Sequence, residues 1–94
     1  MQYLVLAYDG TDDGAPARRQ AAREAHLAGA RAMKSAGEML YGAALLDDGG
    51  RMIGSAMVVD FADRADLNAW LAADPYTTGD VWRQIEVKAC RVSV

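Results

Sequence analysis

Cysteine, histidine, proline and basic runs are all scarce in this chain of 94 residues, and each scarcity excludes something. Cys90 is the sole cysteine, so no disulfide forms within the chain, and a reducing, cytoplasmic location is expected. One histidine and one cysteine leave too few soft ligands for a zinc site within a single subunit, so no metal is expected. Thirteen acids against ten bases give a net charge of −3 without any basic block, which argues against nucleic acid as a partner. No apolar run approaches the roughly 20 residues that span a bilayer, so no membrane partner is expected. Met1–Tyr8 is apolar but short and lacks a basic leader, and it reads as a strand rather than a signal peptide. Cofactor motifs are missing too. The only paired glycines, Gly49-Gly50, have turn chemistry, and no glycine-rich phosphate loop is present. The segment from Asp9 to Gly14 opens like a calcium loop. Thr11 stands at its third ligand position and Gln20 at its twelfth, so an EF-hand is rejected.

What is present is a 52% hydrophobic chain, enough for one domain over residues 1–94. Gln2–Tyr8 carries apolar residues on both parities and predicts a strand covered on both faces. Ala15–Ala36 is rich in helix formers, with Pro16 suited to the first turn and Gly37 to the stop. Met39–Leu46 and Gly54–Phe61 read as a hairpin around Asp47-Asp48-Gly49-Gly50. Asp63 is the expected N-cap of a second helix, Arg64–Ala73, with Asp66 in its first turn and an apolar stripe of Leu67, Trp70 and Leu71. Pro75 closes that helix at Asp74. Tyr76–Val81 is expected as loop or a single turn, and Gln84–Val94 as the last strand, with Cys90 buried on it. The order β-α-β-β-α-β implies a ferredoxin-like α+β fold, a four-stranded antiparallel sheet with two helices on one face. The other face keeps apolar side chains, which a two-fold dimer would cover by stacking its sheets.

His26, the sole histidine, falls inside the long helix. At about 100° per residue, Ala22, Ala30 and Met33 lie within about 40° of it, while Glu24, Ala28, Arg31 and Ser35 point away. An imidazole on that inward stripe must have its nitrogens satisfied or sit beside an anion. Asp74, held by the stiff backbone before Pro75, is the best candidate. A carboxylate on one ring nitrogen fixes the tautomer and leaves the other for a substrate proton. Taken without Asp74, a lone histidine on such a stripe is more often a satisfied core residue than a catalyst. Arg23, about 60° from His26, can draw an anionic group to a pocket mouth, although the run Arg18, Arg19 and Arg23 also fits a solvated helix edge. Tyr76 and Trp82 read as packing residues or dimer contacts.

Several of these residues together give the chain a family likeness. Arg23-Glu24-Ala25-His26-Leu27 with Gly37, Gly42, Gly54-Ser55, and Asp74-Pro75-Tyr76 with Gly79 and Val81 span nearly the whole chain. In these the sequence resembles the YciI-like (YCII-related) family, departing from it in having Gly42-Ala43 where a Gly-Pro is usual. The resemblance implies a dimeric α+β barrel of ferredoxin-like subunits and a His–Asp active site between helices and sheet. Carried onto this chain, the pair is His26 and Asp74, with Ser55 and Tyr76 beside them. It further implies general acid/base chemistry, isomerisation or elimination, on a small cyclic or carbonyl compound. A non-catalytic module binding a small molecule in the same cavity is the rival expectation, and a purely structural dimer the third.

Overall fold

Burial alternates along the first strand and thereby defines the layers of the molecule. The computed structural model describes all residues, 1–94. In β1 (Gln2–Asp9), Tyr3, Val5 and Ala7 are buried, whereas Leu4 and Leu6 on the opposite parity remain half-buried. The remaining elements are α1 (Ala15–Ser35), β2 (Met39–Leu46), β3 (Met52–Asp60), α2 (Arg64–Ala73), the single turn α3 (Pro75–Thr78) and β4 (Trp82–Cys90). The strands form one antiparallel sheet in the order β2-β3-β1-β4, the ferredoxin-like arrangement expected from the element order. Helices cover the Tyr3–Val5–Ala7 face. Leu67, Tyr76, Phe61 and Val81 pack there with Met57 and Val59, and Ala22, Ala30 and Met33 of α1 lean on the same core.

Local chemistry explains the boundaries. Asp63 accepts the backbone N–H of Asp66 at 2.9 Å, so α2 begins where a side-chain cap can satisfy an orphan donor. Gly37 follows α1 at φ +80°, a left-handed geometry that a side chain would oppose. β3 starts two residues earlier than the sequence suggests, because Asp47 Oδ1 accepts from both Gly49 and Arg51 backbone N–H and tightens the hairpin. β4 ends at Cys90 rather than Val94, since Cys90 pairs with Gln2 and β1 has no further residue to offer. Cys90 is exposed, not buried, because its register with Gln2 puts it on the face the helices leave open.

The pairing of β1 with β4 contains one irregularity. Tyr8 pairs with Gln84, but Asp9 pairs with Trp82, so Arg83 is an extra residue in β4. This bulge turns Trp82 onto the same face as Asp9, beneath the helices, where both side chains are buried. The exposed segment outside it is fixed by charge. Arg18 contacts Asp12 and Arg83 contacts Asp80, both at 2.7 Å. Arg18 Nε also donates to the Asp80 carbonyl at 2.9 Å and Arg83 lies 3.7 Å from Asp12, joining the start of α1 to the start of β4. Hydrogen bonds from Arg18 hold the Asp12 carboxyl well below the usual carboxylate range.

At the pairing of Tyr8 with Gly54, β1 and β3 approach so closely that a Cβ on Gly54 would sit 2.5 Å from the Ala7 carbonyl oxygen. The Gly54→Ala variant must therefore push two central strands apart. Its expected cost is about 1–3 kcal/mol, read from the urea unfolding midpoint.

Candidate functional site

Asp74 occupies the junction of α2 and α3, closing the first and opening the second. Its backbone is extended (φ −62°, ψ 137°), as the following proline requires. Its N–H donates to the Trp70 carbonyl at 2.9 Å, ending α2. Its Oδ1 accepts the Tyr76 backbone N–H at 2.8 Å, capping α3, and lies 2.8 Å from His26 Nδ1. A carboxylate only accepts, so Nδ1 carries the proton of a neutral His26 and Nε2 keeps its lone pair. Nε2 has no hydrogen-bond partner in the chain and retains solvent access where His26 lines a cavity.

Aromatic rings hold the imidazole in place. The Tyr76 ring stacks on it at 3.9 Å with 12° between planes, and Trp82 meets it edge-on at 5.5 Å. Burial pushes the Tyr76 phenol up from its ordinary value, so its hydroxyl stays protonated at neutral pH. These contacts give Tyr76 and Trp82 their packing role, and that packing is directed at His26.

Beside this group lies a second polar cluster. Arg19 Nη1 contacts both oxygens of Asp9, at 2.9 and 3.0 Å, with both side chains buried. Arg19 Nη2 donates to Ser55 Oγ at 3.2 Å, Trp82 Nε1 donates to the same oxygen at 3.2 Å, and the guanidinium rests 4.7 Å from the centre of the Tyr76 ring. The solvated-edge reading of the arginine run is thus wrong for Arg19. It precedes His26 by seven residues, and about 700° of helical rotation leaves it only about 20° from His26 on the inward stripe. Projection was the signal that could have found it. Asp9 and Trp82 carried no such signal, because one lies at a strand end and the other is turned inward by the bulge.

The cavity has a volume of about 600 Å³, within the range of small-molecule sites. His26, Ser55, Tyr76 and Arg23 line it together, and Asp74 stands behind the imidazole. α1 supplies one wall with Leu27 and Ala30, and Met57 with the small residues Gly42 and Ala44 forms the other. Arg23 is partly exposed and has no acidic partner within ion-pair distance. Arg31 and Ser35, projected away from His26, are exposed yet reach the mouth. Arg19, Arg23, Arg31 and Lys34 line this space with no Asp or Glu, in a chain whose net charge is −3. No cluster of three or more His, Cys, Asp or Glu side chains is placed to hold a metal ion.

Because one Asp74 oxygen serves both a helix cap and the imidazole, truncation removes two buried contacts at once. Asp74→Ala is expected to destabilise the fold by about 2–4 kcal/mol, and Asp74→Asn, which keeps an accepting oxygen, by less than half of that. Chemical denaturation of the two variants checks the order.

Solved structures share this architecture. 5-Chloro-2-hydroxyhydroquinone dehydrochlorinase from Burkholderia phenoliruptrix AC1100, in complex with 2,5-dihydroxybenzoquinone, superposes with a TM-score of 0.85 at 20% identity, covering 99% of this chain and 96% of that one. Rv0793 from Mycobacterium tuberculosis gives a TM-score of 0.65 at 14% identity over 99% and 98% of the two chains. A dimeric ferredoxin-like protein of unknown function from Jannaschia sp. CCS1 gives 0.53 at 18% identity over 97% and 98%. At these identities the likeness is one of fold. No curated protein matches the chain. The model of the YCII-related domain matches residues 1–91, nearly the whole sequence, and the protein belongs to that family.

Proposed function

We propose that this protein is a small-molecule enzyme in which His26 is the general acid/base and Asp74 orients it. The observation that carries the reading is the bond from His26 Nδ1 to Asp74, which leaves Nε2 open to a cavity of about 600 Å³. Nε2 takes a proton from a carbon or oxygen of the ligand, and Asp74 stabilises the imidazolium that forms. The electron pair left behind enters the ligand's π system. It is either protonated at another atom, giving an isomer, or expels a leaving anion, giving an elimination. Arg19 is neutralised by Asp9, but Arg23, Arg31 and Lys34 line the cavity without an acidic partner and favour an anionic ligand. Arg23 draws it in, Ser55 contacts a ligand oxygen, and Tyr76 fixes the imidazole plane from behind. The dehydrochlorinase that shares the fold, bound to an oxygenated ring, supports a small cyclic compound as substrate. One thiol and no disulfide fit work in the cytoplasm.

The active unit is a two-fold dimer. Leu4, Leu6, Ala56 and Val58 make an apolar centre on the sheet face that no helix covers, and Tyr41 beside them is 57% exposed. A second copy of the same face covers it. The dimeric relative from Jannaschia supports this. A lysine at the centre would be desolvated without a partner, so Val58→Lys is expected to yield monomers by sedimentation while the protomer stays folded.

Turnover of chlorinated hydroxyquinols and lactones tests the chemistry. His26→Ala is expected to lower kcat/KM by about 10²–10⁴-fold with the fold retained, and Asp74→Asn to lower it by removing the charge that stabilises the imidazolium. Unchanged turnover in either variant removes the assigned role. Thermal stabilisation by these compounds without product would instead favour a binding module.

A further inference from the structure

Ser55 Oγ accepts two hydrogen bonds, from Arg19 Nη2 and from Trp82 Nε1, both at 3.2 Å. Neither nitrogen can accept, because a guanidinium and an indole N–H only donate. A serine hydroxyl has two lone pairs and one proton. Both lone pairs are therefore committed, and the proton is the one hydrogen-bonding capacity left. No acceptor in the chain takes it, although Ser55 is buried and lines the cavity.

We propose that Ser55 is fixed as a one-way donor to the ligand, and that Arg19 and Trp82 are positioning residues that enforce this polarity. This role rests on the proposed ligand cavity, but on binding there rather than on proton transfer. Arg19 is held for the task. Asp9 grips its Nη1 with both carboxylate oxygens, so the guanidinium cannot swing to the ligand and Nη2 stays on Ser55. Trp82 reaches Ser55 only because the Arg83 bulge turns it inward.

The cavity then offers two opposite functions, an acceptor at His26 Nε2 and a donor at Ser55. The complement is a ring that carries a removable proton and, elsewhere on its edge, a carbonyl, enolate or phenolate oxygen. The Ser55 proton favours that oxygen as it gains charge. Ligands whose oxygen is a weak acceptor gain little there.

The test is a double-mutant cycle read by calorimetric titration with two probes, 2,5-dihydroxybenzoquinone and 1,4-hydroquinone. Ser55→Ala is expected to weaken quinone binding by about tenfold or more, with hydroquinone binding changed by less than about threefold. Trp82→Phe is expected to lose part of the same preference when Ser55 is present and almost none of it in the Ser55→Ala background. Arg19→Lys keeps the charge beside Asp9 but lacks the second nitrogen, and serves the same cycle should Trp82→Phe unfold. Equal losses for both rings, additive effects across the cycle, or no quinone binding by the wild type would each overturn the inference. Failure of the proton-transfer reading would leave this preference intact, since turnover is not the readout.

Discussion

A single carboxylate oxygen organises the site. Asp74 Oδ1 caps the short turn α3 through Tyr76 and holds His26 through Nδ1. The two acceptances are mutually dependent. The cap fixes where Tyr76 stands, Tyr76 stacks on the imidazole, and the imidazole points its remaining nitrogen into the cavity. Pro75 adds stiffness by keeping the Asp74 backbone extended. Turn chemistry and candidate catalytic chemistry are thus the same hydrogen bonds seen from two sides, and a choice between them is unnecessary.

Burying Arg19 and Asp9 in so small a domain costs desolvation that their attraction only partly offsets. A fully apolar replacement would serve stability as well, so the pair is better understood through what it positions. Its two contacts, to Ser55 and to the Tyr76 ring, both reach the cavity lining. The charges are kept near the N-terminal end of α1, while the core around Val5, Val59 and Leu67 is wholly apolar. This division lets the sheet carry stability while one corner of it carries polarity.

Local signals were enough for the elements. The Asp63 cap and the Leu67, Trp70, Leu71 stripe located α2 at Arg64–Ala73, and helical projection turned His26 inward. The meeting of His26 with Asp74 was different in kind. The two are 48 residues apart, and no periodicity speaks across that distance. The need of an inward imidazole for an anion points to Asp74 before Pro75, and family likeness adds Tyr76 and Ser55 beside it. Arg19 was hidden by its neighbours, since a run of arginines on a helix normally meets water, although its angle to His26 was readable. Asp9, Trp82 and Cys90 were lost to register. Strict alternation assumes a straight ladder and a covered sheet, and the bulge breaks the first assumption while the open face breaks the second.

The extra residue in β4 also decides how this surface segment can evolve. Thr78, Gly79, Asp80 and Arg83 are exposed, the kind of stretch that ordinarily absorbs insertions and deletions without consequence. Here its pairing is constrained. Were the ladder to run unbroken through Arg83, that residue would stand opposite Asp9 and the indole would swing to the far side of the sheet, stripping the histidine and the serine of a neighbour in one step. The same rim is held at Gly79, where a Cβ would sit 2.8 Å from the Pro75 carbonyl oxygen, and by the Arg83–Asp80 pair, so neither its register nor its side chains are free to drift.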